Sequence, residues 1–203
     1  MNYFITNKPY NMICQFTQEV AGQMTLADLK FNFDKDVYPV GRLDLDSEGL
    51  LLLTNDRKLT HTLLDPRFQH DRTYLAQVDG IASEESLEKI RNGVDIKLEK
   101  QKTHHTLPAK ARLVNDIDAY FAPKKLWQRL PAARPSGQNP MSWIEIKLSE
   151  GKNRQVRKMC AAIGHPCLRL IRVGIVNLTI KDLRPGEVRE IIKEELLVMG
   201  YGL

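Results

Sequence analysis

An α+β fold is predicted by three observations. The apolar and alternating runs are short, the helical patterns between them are brief, and the two do not repeat as regular strand–helix–strand units. With 203 residues, 42% of them hydrophobic, the chain can bury a core as one large domain or two small lobes. Residues 3–6 and 12–16 read as strands on either side of the Pro9 turn, and Thr25 caps a short helix reaching Leu29. Residues 37–40 and 50–54 read as extended segments flanking an acidic loop, Pro39 marking the first as an edge or strand end, and 58–64 as helical. Tyr74, Ala76 and Val78 alternate with Leu75 and Gln77 as a strand, and Ser83 then caps a helix that Asn92 and Gly93 stop. No internal repeat interrupts this order.

Residues 115–141 break the pattern. Pro123, Pro131, Pro135, Gly137 and Pro140 mark an irregular basic loop that carries Lys124, Lys125, Arg129, Arg134 and Trp127. It reads either as plain surface or as an arm that meets RNA through cations and an aromatic face. His104 and His105 lie upstream with no ligands at metal spacing and read as exposed loop. Farther on, Val156, Met159, Cys160 and Ile163 recur at helical spacing, so this helix faces the core along that stripe and ends at Gly164. Arg157 falls at the rim of the stripe; Arg154 and Lys158 point farther out.

Charge adds a direction. A net charge of +5 and a pI near 9.1 favour an anionic partner. Lys152, Arg154, Arg157, Lys158, Arg169 and Arg172 gather in one late stretch, the footprint expected of a phosphate-binding face. Cys14, Cys160 and Cys167 are odd in number and lack CxxC spacing, so buried thiols are expected rather than a disulfide framework or a zinc site. The opening residues carry no signal-like charge and apolar pattern, and no apolar run approaches spanning length; a soluble cytoplasmic protein is expected.

The most informative segment is GRLDLDSEGLLLLTND, residues 41–56, where carboxylates sit between two glycines and abut a solid apolar run. A carboxylate at an element boundary beside apolar walls costs free energy unless it is paired or used, and is a fitting place for a nucleophile or base. Asp44 is the candidate. The spacing of Asp44, Asp46, Glu48 and Gly49 imitates half a calcium loop, but Asn55 occupies the twelfth position and leucines follow where a helix would start. A solvated hairpin turn remains open on these residues alone, as does a two-carboxylate glycosidase or Mg²⁺ site lacking its partners.

This segment resembles the signature of the RsuA-type pseudouridine synthases. Three more pieces resemble that family in its order: Asn7-Lys8-Pro9-Tyr10, then Arg72-Thr73-Tyr74, and last the pair of segments 150–159 and 168–174. With Cys14-Gln15-Phe16-Thr17 the likeness leans toward the 23S rRNA pseudouridine synthase E branch. The resemblance implies a pseudouridine synthase fold, a mixed, largely antiparallel sheet flanked by short helices, and an enzyme that isomerises a uridine of rRNA, expected in 23S rRNA. It further implies Asp44 as the catalytic residue, Tyr74 stacking on a flipped base, Arg42 filling the vacated place, and Leu170 closing the other face. The helix geometry assigns Arg157 to Asp44 as the cation that keeps it ionised, leaving Arg154 and Lys158 to phosphates; Lys8 supports the loop or touches phosphate. Neither cofactor nor metal is expected. The partner is rRNA, naked or in the assembling large subunit, with no membrane and a monomeric enzyme. The chain opens almost at the NKP motif, so no S4-type RNA-binding module is expected ahead of residues 1–203. A non-catalytic ribosome-assembly protein on the same scaffold is the alternative, and a metal-dependent nuclease a distant third.

Overall fold

The computed structural model describes residues 1–128, 140–180 and 182–197. The strands are β1 (Tyr3–Lys8), β2 (Tyr38–Pro39), β3 (Ser47–Thr54), β4 (Arg72–Asp79), β5 (Asp95–Lys97), β6 (Thr103–His105), β7 (Lys110–Val114), β8 (Met141–Leu148), β9 (Cys167–Ile175), β10 (Leu178–Thr179) and β11 (Val188–Glu190). The helices are α1 (Arg57–Leu64), α2 (Glu84–Asn92), α3 (Ile117–Tyr120), α4 (Gln155–Ala162) and α5 (Lys193–Leu197). The chain divides into two compact units, one of residues 1–70 and 172–203 and one of residues 71–171.

In the first unit β1 lies between β11 and β3, antiparallel to both, with Ile5 opposite Leu52 and Lys8 opposite Gly49. The register follows from burial on both faces: Leu50 to Leu53 are all without solvent exposure, and each buried leucine contributes roughly 1.5–3 kcal/mol. Leu51 and Leu53 pack on Phe4, Met12, Leu26, Leu29 and Val37. The predicted Thr25 cap is present as a full capping box on a 3-10 turn at Leu26–Asp28, and Asp56 caps α1 by accepting from the Leu59 N–H. The buried Tyr3 hydroxyl donates to the same Asp56 at 3.0 Å. The strand expected at 12–16 does not form. Only a single bridge joins Met12 to Met24, because the Ile13 N–H goes to Met24 O and the Leu26 N–H to Gln15 O.

In the second unit β8 lies between β4 and β7, antiparallel to both, and Tyr74 is opposite Ile146. β5 and β6 form a separate antiparallel pair. Ser83 caps α2 by accepting from Ser86 N–H, and Gly93 ends it with φ +95°. The core joins Ala76, Val78, Leu87, Ile144, Ile146, Val156, Met159 and Leu170. His104 and His105 are not loop but strand residues: His104 pairs with Glu150 at 3.0 Å and His105 with Asp95 at 2.8 Å. Within the 115–141 segment α3 is a short helical turn, and residues 129–139, with Arg129 and Arg134, lie outside the described residues.

Candidate active site

The three residues of the NKP motif do three different things. The Asn7 side-chain amide donates to Leu183 O at 2.9 Å, while its backbone N–H donates to Glu187 O and its carbonyl accepts from Gly186 N–H, which ties β1 to the loop before β11. Lys8 is fully buried and its ammonium donates to Met12 O at 2.6 Å and Pro9 O at 3.0 Å. Pro9 carries the chain out into the turn those bonds brace. Burial pulls the Lys8 ammonium down to about 8, against the opposing influence of Cys14, Glu48, Asp46 and Asp44. Lys8 is thus a buried brace among three carboxylates rather than a surface phosphate contact, which corrects one of the two expectations for it.

The acidic loop is held from several sides. Gly41 turns the chain with φ +73°, and the Val40 N–H is bonded to Leu52 O. Leu43 is buried and its backbone meets the Cys14 thiol on both sides, its N–H reaching Sγ at 3.2 Å and its carbonyl accepting from Sγ at 3.4 Å. Asp44 follows, half-buried, and its carbonyl accepts from Ser47 N–H at 3.0 Å to close a turn with Leu45 and Asp46 at its corners. Asn11 N–H donates to Leu45 O at 2.9 Å. β3 then starts with Ser47 and Glu48 buried. At Gly49, with φ +111°, a Cβ would stand 2.3 Å from Arg172 O, so only glycine permits this approach. Arg42 is exposed beside the loop.

The remaining candidates lie in the second unit. Tyr74 is half-buried on β4 against the cluster that contains Leu170, Val156 and Met159. Arg157 is half-buried on α4, as its rim position predicted, and donates Nη1–H to Cys167 O at 3.1 Å. The turn ahead of α4 is shaped by the buried Gln155, whose side chain accepts from Lys152 N–H at 2.8 Å and donates to Glu150. Arg154, at φ +53°, and Lys152 are exposed there, and Lys158 is half-buried one turn on.

Two members of the predicted cationic face are corrected. Arg169 is 6% exposed and Arg172 3% exposed. The Arg169 guanidinium lies 5.5 Å from the Trp127 ring centre and donates to Trp127 O, while Arg172 Nε–H donates to Leu50 O at 2.8 Å. Trp127, half-buried, also meets Phe121 edge-on at 5.7 Å. Among the described residues no group of three or more His, Cys, Asp or Glu side chains is arranged to hold a metal ion, and no helix is long and apolar enough to cross a membrane.

The fold is α+β with a largely antiparallel sheet, and its first unit carries an Asp-bearing loop braced by a buried lysine. The chain belongs to the RNA pseudouridylate synthase family, whose profile matches residues 2–162, and is an RNA-modifying isomerase. A protein of Vibrio parahaemolyticus named ribosomal large subunit pseudouridine synthase E is 45% identical over 187 residues, covering 92% of this chain and 72% of the relative. One of the same name from Xanthomonas axonopodis pv. citri is 42% identical over 182 residues, 89% of each. A crystal structure of a pseudouridylate synthase superposes with a TM-score of 0.75 at 25% identity, covering 98% of this chain and 73% of that one.

The sequence shows Asn7 and Gln155 only within family-like segments, and neither their bonding roles nor the bracket made by Cys14 is signalled there. Cys14, expected as a buried thiol, is half-buried, and its contact with Leu43 spans 29 positions, which no local pattern signals.

Proposed function

We propose that this protein isomerises one uridine of large-subunit rRNA, in 23S rRNA, to pseudouridine in the cytoplasm, with Asp44 as the residue that acts on the sugar. The observation that carries the reading is the Asp44 loop itself: a half-buried carboxylate on a backbone fixed by Cys14, Asn11 and Ser47, with the Lys8 cation buried among its acidic neighbours. Such rigidity suits a group whose attack geometry must be held before substrate arrives.

The base leaves its stack to be reached, as any enzyme acting on a base in structured RNA requires. Asp44 then attacks C1′ as the N1–C1′ bond breaks and the bonding pair leaves with uracil, or it removes a sugar proton in a glycal route. The uracil rotates and C5 bonds to C1′ as the carboxylate is released or, in the glycal route, as Asp44 returns its proton to C2′; the proton lost from C5 is matched by one gained at N1. Atoms and electrons balance without oxidant, phosphate donor or external energy. Tyr74 stacks on the turned-out base and helps move the C5 proton, Leu170 bounds the base, and the exposed Arg42 occupies the vacated stack. Arg157 serves turnover, whereas Arg154 and Lys158 supply phosphate affinity. The protein acts as a monomer.

Asp44→Asn keeps the shape and removes the charge. Pseudouridine formation on unmodified 23S rRNA should fall to background while folding and RNA binding persist. Activity of even about a tenth of wild type would end the assignment, since loss of a nucleophile costs several orders of magnitude.

A further inference from the structure

Two positions on the joined turns that carry Asp44 and Pro9 hold side chains that turn chemistry does not call for. Leu45 is a central residue of the turn that begins at Asp44, a position where polar residues and proline are usual. It is 42% exposed, and so is Tyr10, which follows Pro9 at the tip of the neighbouring turn. Single exposed apolar residues are ordinary. These two are different because both tips are rigid and joined. The Lys8 ammonium clamps Pro9 O and Met12 O beneath Tyr10, Asn11 adopts φ +61°, and the Asn11 N–H bonds Leu45 O at 2.9 Å.

The charge around them decides what they fit. Asp44, Asp46 and the buried Glu48 outnumber Arg42 and the buried Lys8 in and beneath this segment, so a phosphate drawn against it gains little, and neutral contacts are the better source of affinity close to the reacting nucleotide. Base faces supply these, since every base stacks on an aromatic ring without regard to its phosphate. We infer that Tyr10, with Leu45 at its side, is a stacking shelf for an unpaired base flanking the isomerised uridine, and thereby helps set which uridines are accepted. The inference rests on the proposed role of Asp44.

The test uses the full chain and unmodified 23S rRNA transcript. Tyr10→Ala should raise KM at least about fivefold, the low end of the loss of one stacked base, with kcat within about twofold of wild type, and Tyr10→Phe should restore KM. In the Asp44→Asn background, a short RNA spanning the modified position with 2-aminopurine beside the target uridine should show fluorescence quenching on binding that Tyr10→Ala abolishes. Unchanged KM and unchanged quenching in Tyr10→Ala, with wild-type protein active, would overturn the shelf alone. A KM increase seen only on assembling subunits and not on the naked transcript would also overturn it, in favour of a protein contact. If wild-type protein made no pseudouridine in 23S rRNA, the shelf would fall together with the reading beneath it, a result separable from the others by the wild-type control.

Discussion

Lys8 offers a quantitative check on the brace beneath the acidic loop. A lysine ordinarily titrating at 10.5 is drawn to about 8 by burial, a difference worth roughly 3 kcal/mol at 1.36 kcal/mol per pH unit. The folded protein therefore binds fewer protons at Lys8 than the unfolded chain between pH 8 and 10.5, and unfolding free energy from this group rises with pH across that window. Below pH 8 the protonated ammonium carries its full desolvation cost; above 10.5 the cost is gone. Lys8→Met removes the titration while keeping a long stem, although it leaves Pro9 O and Met12 O without their donor, so its absolute stability at one pH is a poor readout. The informative quantity is wild-type minus Lys8→Met unfolding free energy, from urea denaturation followed by far-UV circular dichroism between pH 7 and 10.5. It should climb by about 3 kcal/mol, most of it above pH 8. A difference flat to within about 0.5 kcal/mol, or one that falls with pH, would mean that Asp44, Asp46 and Glu48 fully compensate the burial, and would refute the reasoning.

Two other expectations concern the frame. Gly49→Ala drives a Cβ to 2.3 Å from Arg172 O at φ +111°, and should cost upwards of about 3 kcal/mol in urea unfolding; Gly22→Ala, also at positive φ but with nothing within 4 Å, should cost only about 1–2 kcal/mol. Equal losses would disprove the packing argument. Arg154→Gln with Lys158→Gln should flatten the log–log salt dependence of rRNA binding by up to ~2, whereas Arg169→Met, buried on Trp127, should lower stability and leave that slope unchanged. A fall in slope from Arg169→Met would return it to the phosphate-binding face.

What the sequence disclosed was largely local. The Thr25 cap, Ser83 with Gly93, and the apolar stripe of α4 are patterns whose cause lies within one or two helical turns, and each formed where expected, the Thr25 element as a 3-10 turn ending at Asp28. The segment 12–16 reads as a strand yet forms none, because its backbone bonds are taken by Met24 and Leu26, residues brought there by the chain's path rather than by any propensity of their own. The acidic loop was legible as a carboxylate in an awkward place; what holds it was not, since the bonds from Asn11 and Cys14 cross 34 and 29 positions, counted from 45 − 11 and 43 − 14.

The basic stretch shows why counting charges overstates a surface. In Leu168-Arg169-Leu170-Ile171-Arg172-Val173-Gly174 every residue other than the arginines is apolar, and a strand of that kind is buried on both faces, with no outward side for a cation to occupy. Residues 169 to 175 are indeed all buried. Within the strand Arg172 therefore uses its Nε–H on Leu50 O, and Arg169 spreads over Trp127 with its N–H groups on that residue's carbonyl, which are the uses open to a guanidinium removed from water. The helical part of the same stretch behaves in the opposite way, because α4 is amphipathic and leaves Arg154 exposed and Lys158 half-exposed while Met159 and Cys160 go inward. Secondary structure separates the arginines buried within β9 from the cations left on and just ahead of α4 more sharply than their number does.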